Sequence, residues 1–108
     1  MAERHDFSLV PKMVAEGRVQ WHHHALERLL ERGIPRAEVL RAIERGEIIE
    51  TYSQRQPFPR CLILRVEERP LHVVVAMDSG AGICHIVTVY RPDDLHFEAD
   101  LRTRRKVR

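Results

Sequence analysis

Two stretches of this chain carry side chains that could act on a phosphate. The first is His24-Ala25-Leu26-Glu27-Arg28, running on to Glu31-Arg32-Gly33-Ile34-Pro35. His24 and Arg28 are four residues apart, so on a helix they are neighbours. His24 also falls in the first turn of such a helix, where free backbone N–H groups favour an anion. The second stretch pairs Leu71-His72-Val73-Val74-Val75-Ala76 with Ile86-Val87-Thr88-Val89-Tyr90-Arg91-Pro92. An imidazole, a hydroxyl and a phenol on one patch could transfer protons and hold a phosphate. Arginines could stabilise the charge that develops on it.

Each stretch also has a plainer explanation. His24, Arg28 and Glu31 lie on the polar side of their helix, and Arg32 borders the apolar stripe. They could be a solvated face, with Arg32 paired to a local carboxylate. His72 shares parity with Val74 and Ala76. A turn closing symmetrically about Gly80 sets His72 opposite Thr88, with Tyr90 one step diagonal on the same face. A slip of one residue would break that arrangement. The plainer reading is a core histidine satisfied by Thr88 or by a backbone carbonyl.

The elements that must position these groups change character near Gly46. Ser8 can cap a short helix over Leu9–Glu16, stopped by Gly17. Val19-Gln20-Trp21 reads as a connector. Apolar Ala25, Leu26, Leu29 and Leu30 recur at helical spacing over His22–Arg32. Gly33 ends that helix, and Pro35 suits the first position of the next. The third helix buries Val39, Ala42 and Ile43. Strands then follow over Ile48–Tyr52, Cys61–Val66, Leu71–Met77 and Ile83–Tyr90, with turn residues between them. Short connections imply antiparallel neighbours. The expected fold is α+β, about three N-terminal helices packed on a four-stranded antiparallel sheet. Residues 93–103 receive no assignment.

Size and composition fit one domain over residues 1–108, with 1–20 as an N-terminal helical extension and 102–108 as a basic tail. The 44% hydrophobic and 31% charged content is that of an ordinary folded chain, and net charge is only +2. No apolar run approaches the roughly 20 residues a membrane span needs. Met1–Val10 lacks the apolar core of a signal peptide. The expectation is a cytoplasmic protein, a monomer or a homodimer through an exposed strand edge. Cys61 and Cys84 form no C-x-x-C pair and read as buried thiols. The tail, with Arg102, Arg104, Arg105, Lys106 and Arg108, could attract nucleic acid or be a frayed end. No metal or cofactor is expected. Consecutive His22, His23 and His24 point about 100° apart on a helix and cannot converge on one ion. No Gly-rich phosphate loop, G-x-S-x-G or Ser–His–Asp signature is present.

Taken together, the chain resembles a small uncharacterised bacterial family. The shared features are His24, Arg28, Glu31-Arg32-Gly33-Ile34, Gly46-Glu47-Ile48-Ile49-Glu50, Pro57 and Pro59, Pro70 to Ala76, and Ile86 to Asp93. Such proteins are often encoded beside a zinc-finger, helix-turn-helix protein of the antitoxin kind. They are similar in architecture to RelE- and MqsR-type toxins, which cleave messenger RNA without metal. The resemblance implies a RelE-like fold, an RNA substrate and a possible antitoxin partner. This chain departs from the pattern at His22, where a Ser or Thr cap is more common. The expected activity is metal-independent endoribonuclease cleavage, with His24, Arg28, His72 and Tyr90 lining one pocket as catalytic groups. Arg32, Thr88 and Arg91 would hold the substrate. The alternative is a non-catalytic module that binds protein or nucleic acid.

Overall fold

The structure is a computed structural model that describes residues 6–67, 69–92 and 100–104. The tail residues Arg105, Lys106 and Arg108, and the first five residues of the expected N-terminal extension, lie outside them. A single 3-10 turn over Phe7–Leu9 leads into α1 (Val10–Ala15). Then come β1 (Val19–Trp21), α2 (His23–Arg32) and α3 (Arg36–Arg45). Four further strands follow: β2 (Glu47–Tyr52), β3 (Arg60–Arg65), β4 (Leu71–Asp78) and β5 (Ile83–Tyr90). The fold is α+β, as expected, with three helices and one mixed sheet.

The expectation of four antiparallel strands needs correction. The sheet has five strands in the order β1-β5-β4-β3-β2. Strand β1 is the segment read as a connector, and it runs parallel to β5 with Trp21 beside Ile86. Three residues are too few to show strand alternation, so only tertiary pairing reveals this one. The remaining pairs are antiparallel.

One face of the sheet carries the core. Val73, Val75 and Met77 of β4 join Cys84, Ile86 and Val89 of β5 and Cys61 and Ile63 of β3. The helices cover this face with Val10, Met13 and Val14 of α1, Ala25 and Leu29 of α2, and Val39, Ala42 and Ile43 of α3. Helix α1 is therefore part of the core rather than an appendage. Gly33 ends α2 in the left-handed conformation at φ 62°, where a side chain would be strained. Gly46 is needed for a different reason. A Cβ there would sit 2.3 Å from the Ala42 carbonyl oxygen and 2.7 Å from Ile63.

Successive strand residues point to opposite faces, so the other face is carried by the alternate positions. Two bulges adjust which positions these are. In β2, Ile48 faces Ile63 and Glu50 faces Leu62, so Ile49 is the extra residue. In β5, Ile86 faces Val75 and Thr88 faces Val74, so Val87 is extra. The hairpin register expected from sequence is corrected accordingly. Tyr90, not Thr88, stands opposite His72, and Thr88 faces Val74.

Candidate active site

Across this second face, strand pairing sets side chains in rows. One row runs Glu47, Leu64, His72, Tyr90; the next runs Glu50, Leu62, Val74, Thr88; a third runs Tyr52, Arg60, Ala76, His85. His72 is wholly buried, the one buried polar side chain among the described residues. Its cover is the segment 100–104, which lies over the sheet. His72 Nε2 is 2.8 Å from the Leu101 carbonyl oxygen, and Nδ1 is 3.2 Å from the Tyr90 hydroxyl. A carbonyl only accepts, so Nε2 carries the proton. In the neutral ring Nδ1 then accepts, and Tyr90 O–H donates to it. Burial holds the His72 pKa below its ordinary value; the Leu101 carbonyl and Glu50 oppose this and Arg104 adds to it.

Arg104 joins this pair to β2. Its guanidinium donates to both carboxylate oxygens of Glu50, at 3.0 and 2.9 Å, and to the Tyr52 hydroxyl at 3.1 Å. Tyr52 O–H in turn donates to Glu50. Arg104 also hydrogen-bonds Tyr90. The donors therefore run in one direction: Arg104 to each phenol, one phenol on to Glu50 and the other to His72. Burial raises both phenol pKa values, and the bond to Glu50 raises that of Tyr52 further. Both are neutral proton donors at neutral pH. Beside Arg104, Arg102 grips Glu47 through Nε and Nη2 at 2.8–3.2 Å.

A hollow of about 250 Å³ adjoins this network, lined by Tyr52, Arg55, Arg60, Val74, Val87 and Thr88. Among the described residues no three His, Cys, Asp or Glu side chains converge to hold a metal ion.

The residues expected to share one pocket are divided between two faces. His72 and Tyr90 come together, and Thr88 lines the adjoining hollow. His24 and Arg28 do not join them. They sit on α2, whose Ala25 and Leu29 pack on the core face of the sheet. His24 is exposed and lies 3.8 Å from Glu27, while Arg28 pairs with Glu31 at 3.0 Å. The solvated-face reading describes them. The expected pocket fails because an amphipathic helix that buries its apolar stripe against the sheet must turn its polar side away from it. Arg32 donates to the Val89 carbonyl at 2.8 Å, at a point of β5 that β1 does not reach. Arg91 forms a two-bond pair with Glu38 at 2.5 and 3.2 Å and also caps the Arg69 and Pro70 carbonyls. Both arginines fasten elements together.

Sequence reading missed Glu50, Tyr52 and Arg104. Glu50 and Tyr52 share parity on one strand, which was a usable signal, but nothing local places that strand's face under a distant arginine.

Residues 21–91 match a family described as a domain of unknown function, DUF4258. The chain belongs to this family. No curated protein and no solved structure matches it. The DUF4258 span contains Glu50, Tyr52, His72, Thr88 and Tyr90, and it contains the hollow. Helix α1 and the covering segment with Leu101 and Arg104 fall outside it. In this member a segment beyond the family domain covers the His72 end of that sheet face.

Proposed function

We propose that this DUF4258 protein is a metal-independent endoribonuclease that works on the open sheet face. The observation that supports this most is the one-way hydrogen-bond chain joining Arg104, Tyr52, Glu50, Tyr90 and His72. It puts a carboxylate, two neutral phenols and a guanidinium in one cluster, groups able to serve as base, acid and charge stabiliser in phosphodiester transfer without metal. In the reaction, Glu50 takes the proton of a ribose 2′-OH. The 2′ oxygen forms a bond to phosphorus as the P–O5′ bond breaks. Tyr52 gives its proton to the departing 5′ oxygen, and Arg104 stabilises the charge on the phosphorane. The products are a 2′,3′-cyclic phosphate and a 5′-hydroxyl. His72 is a positioning residue here, holding Tyr90 from behind. In this reading the protein is a RelE-like toxin that acts in the cytoplasm, as a monomer or homodimer, and a zinc-finger antitoxin restrains it.

A second reading has its own support. The complete burial of His72 under Leu101 favours a non-catalytic nucleic-acid-binding module, in which the network is structural. The test is incubation of single-stranded RNA with the protein in EDTA, comparing wild type with Glu50→Gln, Tyr52→Phe and Arg104→Ala. Cleavage to cyclic phosphate ends, reduced roughly 10²–10³-fold in the Glu50 or Arg104 variant, supports the enzyme. Intact RNA with wild type, or cleavage that EDTA abolishes and magnesium restores, overturns it.

A further inference from the structure

The open face extends beyond the proposed cleavage groups, and what lies there suits a particular ligand. Because Val87 is an extra residue, His85 and Thr88 point to the same face although their numbers differ in parity. His85 stands in the row of Tyr52, Arg60 and Ala76. Its ring lies flat against Phe58, centroids 5.4 Å apart and planes at 8°. His22 meets the same ring edge-on, also at 5.4 Å. Both nitrogens of His85 and Nε of Arg60 are shielded from solvent and have no hydrogen-bond partner among the described residues. Native proteins rarely leave such groups unpaired unless something else supplies the partner.

The charges point the same way. Partial burial first, then His85, Arg60 and His24, hold the His22 pKa below its ordinary value. Arg55 is exposed and lines the adjoining hollow. Aromatic rings beside arginines are what single-stranded nucleic acid uses: bases stack on rings, and phosphates meet arginines. Three inter-strand steps of ~4.8 Å separate Tyr52 on β2 from His85 on β5, about 14 Å in all.

We propose that this part of the sheet is a binding track for single-stranded RNA. One base enters the hollow against Tyr52, the phosphates lie along Arg55 and Arg60, and the next base stacks at Phe58 and His85. Exposed His22 swings aside to admit it. The proposal deepens the endoribonuclease reading and rests on it for the identity of RNA as substrate; the recognition chemistry is independent of cleavage.

The experiment uses a short 2′-O-methyl oligonucleotide, which cannot undergo 2′-OH attack. Its binding to the full chain is measured by fluorescence anisotropy, and the imidazole NMR signals of His22 and His85 are followed in the same titration. The expected result is a shift of both imidazoles and about tenfold weaker binding in Phe58→Ala, the change that losing one base stack of about 1.4 kcal/mol gives. Arg60→Ala should flatten the dependence of log K on log salt by about 0.7, one single-strand phosphate contact. Phe58 lies in a loop, so that variant keeps the sheet, and thermal melting checks both. Arg36→Ala, on the helix side, serves as the unaffected control. Absent binding, unmoved His22 and His85 signals, or equal affinity for duplex would overturn the track. Binding that follows these predictions while natural RNA stays intact leaves the track standing and removes the cleavage. Cleavage with an unchanged KM in Phe58→Ala and Arg60→Ala does the reverse.

Discussion

Replacing His72 by leucine tests the network at its buried end. Leucine fills similar space but cannot donate to the Leu101 carbonyl or accept from Tyr90. Each lost bond removes about 1 kcal/mol net, and a buried acceptor left unpaired adds about 1–3 kcal/mol. Tyr90 keeps its bond from Arg104, so the Leu101 carbonyl carries most of that penalty. The better burial of leucine offsets part of the loss. The expected net cost is about 2 kcal/mol near pH 7.5, on the order of 10 °C in Tm for a domain of this length. The pH dependence is the sharper signature. His72 is held below its ordinary pKa of 6.5, first by burial. Between that value and the depressed one, the unfolded chain binds a proton that the folded protein refuses. The stabilisation is full above pH 6.5 and is lost as pH falls through this window, at no more than about 1.36 kcal/mol per pH unit. Leucine has no such proton. The stability gap between wild type and His72→Leu should therefore narrow as pH falls. His22, also depressed, is present in both proteins and cancels. Urea unfolding at several pH values measures the gap. A gap that stays constant from about pH 7.5 to 5, or a variant as stable as wild type at the upper end, would refute the buried neutral imidazole.

Three further outcomes follow. Gly46→Ala should cost at least about 2 kcal/mol, because its Cβ meets the backbone oxygens of Ala42 and Leu64 at 2.3 and 2.8 Å; urea unfolding within about 0.5 kcal/mol of wild type would contradict it. Cys61 and Cys84 are buried, with thiol pKa values pushed up to about 12, mainly by burial. Neither should react with a thiol reagent at neutral pH until urea unfolds the chain, and fast labelling of the native protein would count against this. Arg91→Ala should destabilise by about 2 kcal/mol by stripping the half-buried Glu38 of its partner, while oligonucleotide affinity per folded molecule stays as in wild type. A selective loss of affinity would return Arg91 to the site.

Much of the fold was legible because helices α2 and α3 carry strong 3.6-residue patterns and firm stops at Gly33 and Gly46. Strands β3 to β5 were legible for the same kind of reason, being apolar runs separated by turn residues. Strand β1 was not, since Val19–Trp21 gains its strand character only from pairing with β5. The site was legible in part. His72 and Tyr90 could be placed on one face by alternation, and they are. The placement of His24 and Arg28 beside them needed the polar side of α2 to face the sheet. Burying Ala25 and Leu29 forbids that. Arg104 was invisible as a site residue because its partners, Glu50 and Tyr52, are more than fifty positions away.

The two bulges explain why the open face reads poorly in sequence yet is coherent in space. A regular β2 would put Glu47 and Glu50 on opposite faces, since their numbers differ by an odd step. The extra Ile49 brings both to the open side, where Arg102 and Arg104 take one each. A regular β5 would likewise separate His85 from Thr88 and Tyr90, and Val87 reunites them. Without these insertions the segment 100–104 would find one carboxylate instead of two. The stacked rings would then lie on a different face from the His72 pair. Parity arguments from sequence assume an uninterrupted strand, so they could pair His72 with the right face of β5 but not continue that face to His85. The bulges thus decide which polar groups the face collects.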